Sequence, residues 1–440
     1  MSDSASISGT GVAQVARAAQ AADEAVAGSG GWRRGAGVAG AAIGVVAAGA
    51  AVGVAVERLT VGRGMRRKAR LALDSMGPYG TLRGRPGRAV AEDGTELYFE
   101  VDEVDGVGEA EGTGGAGGAD GPGAAPAPSE TSPTLLKRLF GRPAATQAPA
   151  PVTVVFTHGY CLSQDSWHFQ RAALRGAVRM VFWDQRSHGR SERGRSQLDG
   201  SVPVSIDLLG RDLKAVIDAA APEGPLVLVG HSMGGMTMMG LAAQYPELVA
   251  ERVVGTAFVS TSSGELADNT YGLPVSGSVV RRVLPAALRA LTAGRPELIE
   301  RGRQATADLY AGVIRRYSFG SRDVDPAVAR FAERLMEATP LGIIAEFYRV
   351  FGEHDKATAL AEFAAHPVVV IAGEKDLMIP SAHSEAIAAA LPEAELLLVP
   401  GAGHLVMFEH PELVTEHLLD LLDAATEGIP ERAEGARRRG

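Results

Sequence analysis

The sequence has almost no cysteine and no excess of positive charge. A single cysteine among 440 residues excludes a disulfide framework, a multi-thiolate zinc site and an iron–sulfur cluster. The formal net charge of -9 at pH 7 argues against nucleic-acid binding by the chain as a whole, because neutralising phosphates requires a basic face. The composition therefore implies neither a metal cage nor a nucleic-acid partner.

The remaining composition is that of a packed globular protein, with 46% hydrophobic and 22% charged residues. The 55 glycines and 24 prolines exceed what one compact domain needs, and the excess lies in two places. We expect a disordered segment over 1–35, a low-complexity surface linker over 105–151 and a charged tail over 426–440. The linker holds too few large apolar residues to offset the entropy lost on ordering.

Residues 36–56 contain no charged or polar side chain. At about 1.5 Å per residue such a helix just spans a hydrocarbon core of roughly 30 Å, so this stretch is a candidate transmembrane helix. A cleaved export signal or a flexible low-complexity tract is the alternative. The juxtamembrane segment 57–85 has six basic residues between Arg58 and Arg70, against Arg33 and Arg34 before the stretch. This asymmetry predicts that the C-terminal part is cytoplasmic rather than exported.

From about 86 to 425 the pattern alternates between short apolar runs and amphipathic stretches. This alternation predicts an α/β domain with a doubly wound, mostly parallel sheet. The segment 264–360 is helical in pattern and too long for a connection, so we expect an inserted helical cap that walls a substrate pocket. We predict strands at 88–92, 96–101, 152–157, 178–183, 226–230, 253–259, 368–372 and 395–399, and further helices at 205–219, 233–245, 381–390 and 412–424.

The segment Gly230-His231-Ser232-Met233-Gly234 fits Gly-x-Ser-x-Gly between an apolar strand and an apolar helix, which is the context this motif requires. Such a turn pushes the serine hydroxyl out of the sheet. Gly230 and Gly234 are needed because a Cβ on either side of the serine would collide with neighbouring backbone.

A serine hydroxyl needs a base, and the base needs an orienting carboxylate. His404 lies just beyond the last predicted strand, in a glycine-rich loop that can deliver an imidazole to the serine. Asp376 follows the penultimate strand and fits the chain order serine, acid, histidine. Glu374 and Glu265 remain alternatives for the acid.

Four motifs follow predicted strands in chain order: Thr157-His158-Gly159-Tyr160, Trp183-Asp184-Gln185-Arg186-Ser187-His188-Gly189-Arg190-Ser191, Gly230-His231-Ser232-Met233-Gly234-Gly235 and Pro400-Gly401-Ala402-Gly403-His404. In these motifs the chain resembles the α/β-hydrolase superfamily, in its capped, esterase- or lipase-like serine hydrolases. The resemblance covers 86–425 without the linker. The family usually has glycine where Ser187 stands, and an insertion at the linker is unusual for it.

The resemblance implies a catalytic triad of Ser232, Asp376 and His404. It also implies an oxyanion hole formed by the backbone N–H groups of Met233 and Tyr160. His158 and Gly159 in the opposite loop, with Gly230 and Gly234 in the elbow, are expected to support the local backbone. His231 is likewise expected to support backbone geometry.

A serine nucleophile beside such a hole predicts hydrolysis of a carboxylic ester, a thioester or an amide through an acyl-enzyme. The same triad would also serve an acyltransferase, a carbon–carbon bond hydrolase or a perhydrolase, and the fold could serve as a non-turnover ligand-binding protein or as an inert domain on a membrane scaffold. The expected substrate is a small acyl or lipid-like molecule, which suits membrane association, and the mechanism needs no cofactor. Cap aromatics such as Phe331, Phe347 and Phe351 either line an apolar pocket or pack the helices against each other.

Overall fold

The computed structural model describes residues 79–105, 151–266, 269–270 and 307–427. The segments predicted to be disordered at 1–35 and membrane-spanning at 36–56 lie outside these residues. So do most of the juxtamembrane segment 57–85, all but the two end residues of the predicted linker 105–151, and most of the C-terminal tail 426–440. Within the described ranges, no helix is both long and apolar enough to cross a membrane.

The strands in the described residues are β1 Arg85–Val90, β2 Glu96–Asp102, β3 Thr153–Thr157, β4 Arg179–Trp183, β5 Leu226–His231, β6 Val253–Val259, β7 Val368–Gly373 and β8 Glu395–Val399. They form one eight-stranded sheet in the order β1-β2-β4-β3-β5-β6-β7-β8. All neighbours from β4 to β8 run parallel, whereas β2 is antiparallel to both β1 and β4. The mostly parallel sheet that the sequence predicts is therefore confirmed.

Helices cover both faces of this sheet, and short 3-10 helices occupy Gln164–Trp167 and Ala357–Phe363. The α-helices in the described residues are α1 His168–Leu174, α2 Arg195–Asp199, α3 Ile206–Ala220, α4 Met233–Gln244, α5 Pro246–Arg252, α6 Ala307–Ser318, α7 Pro326–Glu337, α8 Leu341–Glu353, α9 Ser381–Ala390, α10 Val406–Glu409 and α11 Pro411–Glu427.

The central strands are buried on both faces, which is why they appear in the sequence as continuous apolar runs. In β3, Val154 and Phe156 pack with α1, α7 and α11 on one side, and Val155 packs with α3 and α4 on the other. Phe156 also stacks on Phe182 of β4 at a centroid distance of 4.7 Å. The sheet thus separates two apolar cores that hold its strand ends in fixed positions.

The predicted hairpin forms, but its first strand is displaced. β1 starts at Arg85 and ends at Val90, rather than running from 88 to 92, because β2 is long enough to pair Arg85 with Val101. The backbone then closes the turn with a hydrogen bond from Ala91 N–H to the Thr95 carbonyl at 2.9 Å. Gly94 in the turn has a φ of 81°, which explains the Asp-Gly signal.

The described part of the predicted cap contains α6, α7 and α8, and these helices do not share one role. Phe331 of α7 belongs to the sheet's core and stacks on Phe408 at 5.3 Å, so its contacts are those of helix packing. Phe347 of α8 belongs to a separate apolar cluster with Met233, next to the serine elbow. Of these three helices, α8 therefore contributes side chains to the apolar cluster at the serine elbow.

Candidate active site

The sheet has a topological switch at β3. The chain passes from β3 to β4 on one side and then crosses to β5 on the other side. Loops that leave the carboxyl ends of two such strands diverge, and the crevice between them is the usual ligand site of an open α/β sheet. Here the two loops are His158-Gly159-Tyr160 after β3 and the elbow at Ser232 after β5, so the fold brings these two predicted motifs together.

Ser232 stands between the last residue of β5 and the first residue of α4, with a φ of 52° and a ψ of -119°. A positive φ on a residue with a side chain costs of order 1–3 kcal/mol and persists only where the surroundings hold it. Two bonds to the end of β6 and the loop after it hold Ser232 here: its N–H donates to the Val259 carbonyl at 2.9 Å, and the Thr261 hydroxyl donates to the Ser232 carbonyl at 2.7 Å. The residue as a whole is 6% exposed.

Gly230 and Gly234 in the elbow leave no room for a side chain, as the sequence predicts. A Cβ on Gly234 would lie 2.2 Å from the carbonyl oxygen of Thr157, and one on Gly230 would lie 2.6 Å from the amide nitrogen of Gly235. Both obstacles are backbone atoms, which cannot rotate away. Any other residue would push α4 away from β3 at position 234, or away from β5 at position 230, and so move the serine.

Asp376 and His404 form a buried hydrogen-bonded pair. His404 Nδ1 lies 2.7 Å from Asp376 Oδ2, and the side chains are 8% and 0% exposed. The other carboxylate oxygen, Oδ1, accepts the N–H groups of Met378 at 2.8 Å and Ile379 at 2.9 Å. These contacts fix the carboxylate, and the carboxylate in turn fixes the histidine tautomer with the proton on Nδ1 and Nε2 free to act as a base.

The two alternative acids are placed differently. Glu374 and Glu265 are both exposed, and neither makes a hydrogen bond to His404. Glu265 also has a positive φ of 60°. Asp376 is therefore the carboxylate that the geometry favours as the partner of His404.

His231 connects the serine elbow with the histidine loop. Its Nε2 lies 3.0 Å from the carbonyl oxygen of His404, so Nε2 must carry the proton and donate. Burial holds the pKa of His231 well below its usual range, which keeps the ring neutral in this role. The rings of His231 and His404 are 4.8 Å apart. The His404 and Ser232 side chains do not hydrogen-bond to each other here, and such contacts commonly tighten only when substrate is bound.

The loop after β3 is built around His158. Its Nε2 accepts the Gln185 N–H at 2.9 Å, so Nδ1 carries the proton and donates to the Gly159 carbonyl at 2.7 Å. Burial lowers the pKa of His158 to about 3, so it stays neutral. Gly159 allows the loop to approach, since a Cβ there would lie 2.5 Å from His231 Nδ1 and 3.2 Å from Ser232 Cβ. The loop therefore presents Tyr160 beside the serine.

Met233 is the first residue of α4, so its backbone N–H has no acceptor inside the helix. On the other side, Tyr160 directly follows Gly159, on which a Cβ would lie 3.2 Å from Ser232 Cβ, so the β3 loop also comes close to the serine. The Tyr160 hydroxyl donates to the Ile344 carbonyl in α8, and its ring lies 5.1 Å from that of Phe351. The β3 loop is thus attached to the cap helix that covers it.

The surroundings of the serine on the α8 side are apolar. Met233, Ile343, Phe347 and Ile379 belong to one buried cluster, with Met378 packed against it. Phe347 also packs edge-on against His188 at 4.9 Å. This cluster excludes water from one side of the elbow and offers an uncharged surface to a bound molecule.

Within the described residues, no group of three or more His, Cys, Asp or Glu side chains is arranged to hold a metal ion. Cys161, next to the β3 loop, is buried, and its burial raises the pKa of the thiol far above its usual range. A thiol in that state is not a nucleophile.

Sequence reasoning missed two supports of the site. Gln185 holds both the ring and the carbonyl of His158, and Thr261 holds the carbonyl of Ser232. Gln185 lies in a motif that the sequence shows, so its position after β4 was a usable signal. Thr261 lies in a Ser/Thr-rich loop whose local pattern gives no sign of this contact.

Comparison with known proteins agrees with this architecture. The dihydrolipoyllysine-residue acetyltransferase component of an acetoin cleaving system from Pseudomonas putida is 28% identical over 271 residues, which is 61% of this chain and 63% of that protein, so the match spans less than two thirds of this relative. An sn-1-specific diacylglycerol lipase, ABHD11 of Mus musculus, is 26% identical over 62% of this chain and 79% of its own length.

The structure of a thermophilic esterase from Thermogutta terrifontis superposes with a TM-score of 0.52, at 19% identity, over 78% of this chain and 99% of that one. At this identity the likeness concerns the fold alone. A family model described as the alpha/beta hydrolase family matches residues 154–417, which include the serine elbow, Asp376 and His404. The chain thus belongs to the alpha/beta hydrolase family.

Proposed function

We propose that this protein is a serine hydrolase that cleaves carboxylic esters, with Ser232 as nucleophile, His404 as general base and Asp376 as the orienting acid. The observation that carries the proposal is the 2.7 Å bond between His404 Nδ1 and Asp376 Oδ2. The backbone carbonyl of His404 is also bonded to His231, the residue directly before the strained Ser232. A histidine with this tautomer presents Nε2 as the base that a serine nucleophile needs.

The reaction follows from these roles. The Ser232 Oγ attacks the ester carbonyl carbon while its proton passes to His404 Nε2. The tetrahedral intermediate collapses, the alkoxide leaves with the proton from His404, and the acyl group stays on Ser232. Water then attacks the acyl-enzyme, giving its proton to His404, and the acid product leaves as the serine recovers its proton.

The oxyanion of each tetrahedral intermediate would accept the N–H groups of Met233 and Tyr160. Both donors are backbone groups held by strand and helix ends, so little reorganisation is needed when charge develops. A single donor of this kind is worth about 10²–10³-fold in kcat in a comparable hydrolase. His158 and Gln185 contribute by holding the Tyr160 loop and make no contact with the oxyanion.

The apolar cluster around Met233, Phe347 and Ile379 favours an uncharged acyl group on the substrate. The diacylglycerol lipase named above acts on an acyl ester, which accords with this choice. The proposal therefore concerns small acyl or lipid-like esters, and an amide or thioester would use the same steps.

The direct test is intact-mass labelling of the full-length chain with a fluorophosphonate. We expect one adduct on the wild type, none on Ser232→Ala, and one on the control Ser201→Ala, whose serine is exposed. Multiple turnover of short and medium p-nitrophenyl esters should be lost with the adduct. An unlabelled wild type that binds acyl ligands would instead favour a binding protein on this fold.

A further inference from the structure

The carboxylate of Glu409, in α10, accepts hydrogen bonds from two separate stretches of backbone. One donor is the N–H of Gly403 at 2.5 Å, directly before His404. The others are the N–H groups of Gly320 at 3.1 Å and Ser321 at 3.0 Å, in the loop between the cap helices α6 and α7. A carboxylate can accept several such bonds, and bonds to a charged acceptor are about twice as strong as neutral ones.

The two stretches cross with almost no space between them. A Cβ on Gly320 would lie 2.2 Å from the carbonyl oxygen of Gly401, and a Cβ on Gly403 would lie 2.5 Å from the amide nitrogen of Gly320. Only residues without side chains allow this approach. The cap loop and the histidine loop therefore contact each other backbone to backbone, and Glu409 bridges them.

His404 is held on both sides by this contact. The residue before it donates to Glu409, and the residue after it, Leu405, donates its N–H to the Ser318 carbonyl at the end of α6, at 2.8 Å. The acid loop is attached to the same segment, because Lys375 donates its N–H to the Ala402 carbonyl at 2.8 Å. The position of the His404 backbone thus depends on the cap loop at 318–321.

We propose that Glu409 is a positioning residue, which fixes the His404 loop against the cap loop at 318–321 and so couples the placement of the general base to the docking of that cap segment. The inference rests on the proposed function, because it assigns the device to His404 as a base. Glu409 itself touches no reacting atom. Glu409 fixes the backbone before His404, and Asp376 holds His404 Nδ1. Together these contacts set the direction in which His404 Nε2 points.

The expected size of the effect follows from the sensitivity of proton transfer to geometry. A misplacement of about 1 Å by a change away from the chemistry costs up to about 10²-fold in rate. Substrate binding on the Met233 and Phe347 side does not involve Glu409. Loss of the bridge should therefore lower kcat and leave KM nearly unchanged.

The test compares Glu409→Ala and the isosteric Glu409→Gln with the control Glu416→Ala, whose side chain is exposed on α11. Each full-length variant is titrated to its end point with a fluorophosphonate, which counts competent sites. The rate of labelling, kcat and KM on a p-nitrophenyl ester are then expressed per titrated site, and the thermal midpoint is recorded. We expect 10- to 100-fold lower kcat and labelling rate per site for Glu409→Ala, a smaller loss for Glu409→Gln, and wild-type values for the control.

A second perturbation approaches the contact from the cap side. Gly320→Ala should lower kcat per site in the same way, and in combination with Glu409→Ala it should add little, because both break one contact. Normal kcat per site in both Glu409 variants, with only a lower thermal midpoint, would show a purely structural role and overturn the inference. A wild type that is not labelled at all would overturn the proposed function together with it.

Discussion

Replacing Asp376 by Asn is the change whose consequence the structure defines most closely. The carboxylate Oδ1 accepts the N–H groups of Met378 and Ile379, and Oδ2 accepts the proton on His404 Nδ1. An amide has one acceptor oxygen and one donor nitrogen. Two backbone donors demand the oxygen on their side, so the amide nitrogen must face His404.

An N–H group facing Nδ1 reverses the tautomer of His404. The proton moves to Nε2, which then cannot accept the proton of Ser232. The same exchange in a serine protease lowers kcat by about 10⁴-fold with the geometry intact, which corresponds to about 5.4 kcal/mol of barrier. The shape of the side chain is unchanged, and the two backbone bonds survive, so we expect the fold to persist.

The assay is kcat on a p-nitrophenyl ester, with thermal unfolding measured on the same sample. Glu374→Gln is the matched control, since it makes the same exchange on an exposed side chain two residues away and should retain full activity. Near-normal turnover by Asp376→Asn would refute the reasoning and move the acid role to Glu374 or Glu265.

Three other predictions concern the elbow, a buried histidine and the N-terminal stretch. Gly234→Ala places a Cβ 2.2 Å from the Thr157 carbonyl oxygen, and it should abolish fluorophosphonate labelling and lower the thermal midpoint; unchanged labelling would contradict the account of the elbow. Burial lowers the pKa of His188 to about 4, so the unfolded chain binds the proton more readily and stability falls as pH drops from 6.5 towards 4. Wild type should therefore lose about 2 kcal/mol more than His188→Gln between pH 7.5 and 5.0 in urea unfolding, and equal losses would argue against a neutral buried ring. The apolar stretch 36–56 predicts that the full-length chain resists carbonate extraction from membranes, and complete release would count against a membrane span.

Much of the sheet can be predicted from the sequence because its inner strands are buried on both faces. The predictions for β6 and β8 coincide with the observed bounds, and those for β3, β4, β5 and β7 differ by one residue. Apolar runs of this length between glycine, proline and polar residues have few other interpretations. The first strand was displaced because its bounds depend on pairing with β2, and a local pattern contains no information on register.

In the candidate site, too, one part can be predicted from the sequence and another part cannot. Ser232, Asp376 and His404 follow strand ends, so chain order and topology suffice to bring them to one edge. The contacts that hold them are not local: Thr261 reaches Ser232 from the loop after β6, and Glu409 reaches the cap loop 89 residues away. Such pairs depend on how separate segments dock, and no periodicity or motif spacing encodes that.

The positions of strained backbone also point to the edge of the sheet where the candidate site lies. In the described ranges, the non-glycine residues with positive φ are Cys161, Ser187, Ser232, Ser260 and Glu265. They lie in the loops that leave the carboxyl ends of β3, β4, β5 and β6, around the topological switch, and none lies at the opposite edge of the sheet. Each costs of order 1–3 kcal/mol and must be held by its neighbours.

At Ser187, side-chain hydrogen bonds stabilise the strained backbone. Its φ of 67° suits glycine, which the family usually has at this position. The serine instead bonds through its hydroxyl to Gln197 Oε1 at 3.0 Å and accepts the Gly194 N–H at 3.3 Å. Gln197 in turn donates to Glu346 of α8 at 2.8 Å. The departure from glycine therefore connects the β4 loop to the same cap helix that Tyr160 contacts, so two loops at the working edge are fixed by α8.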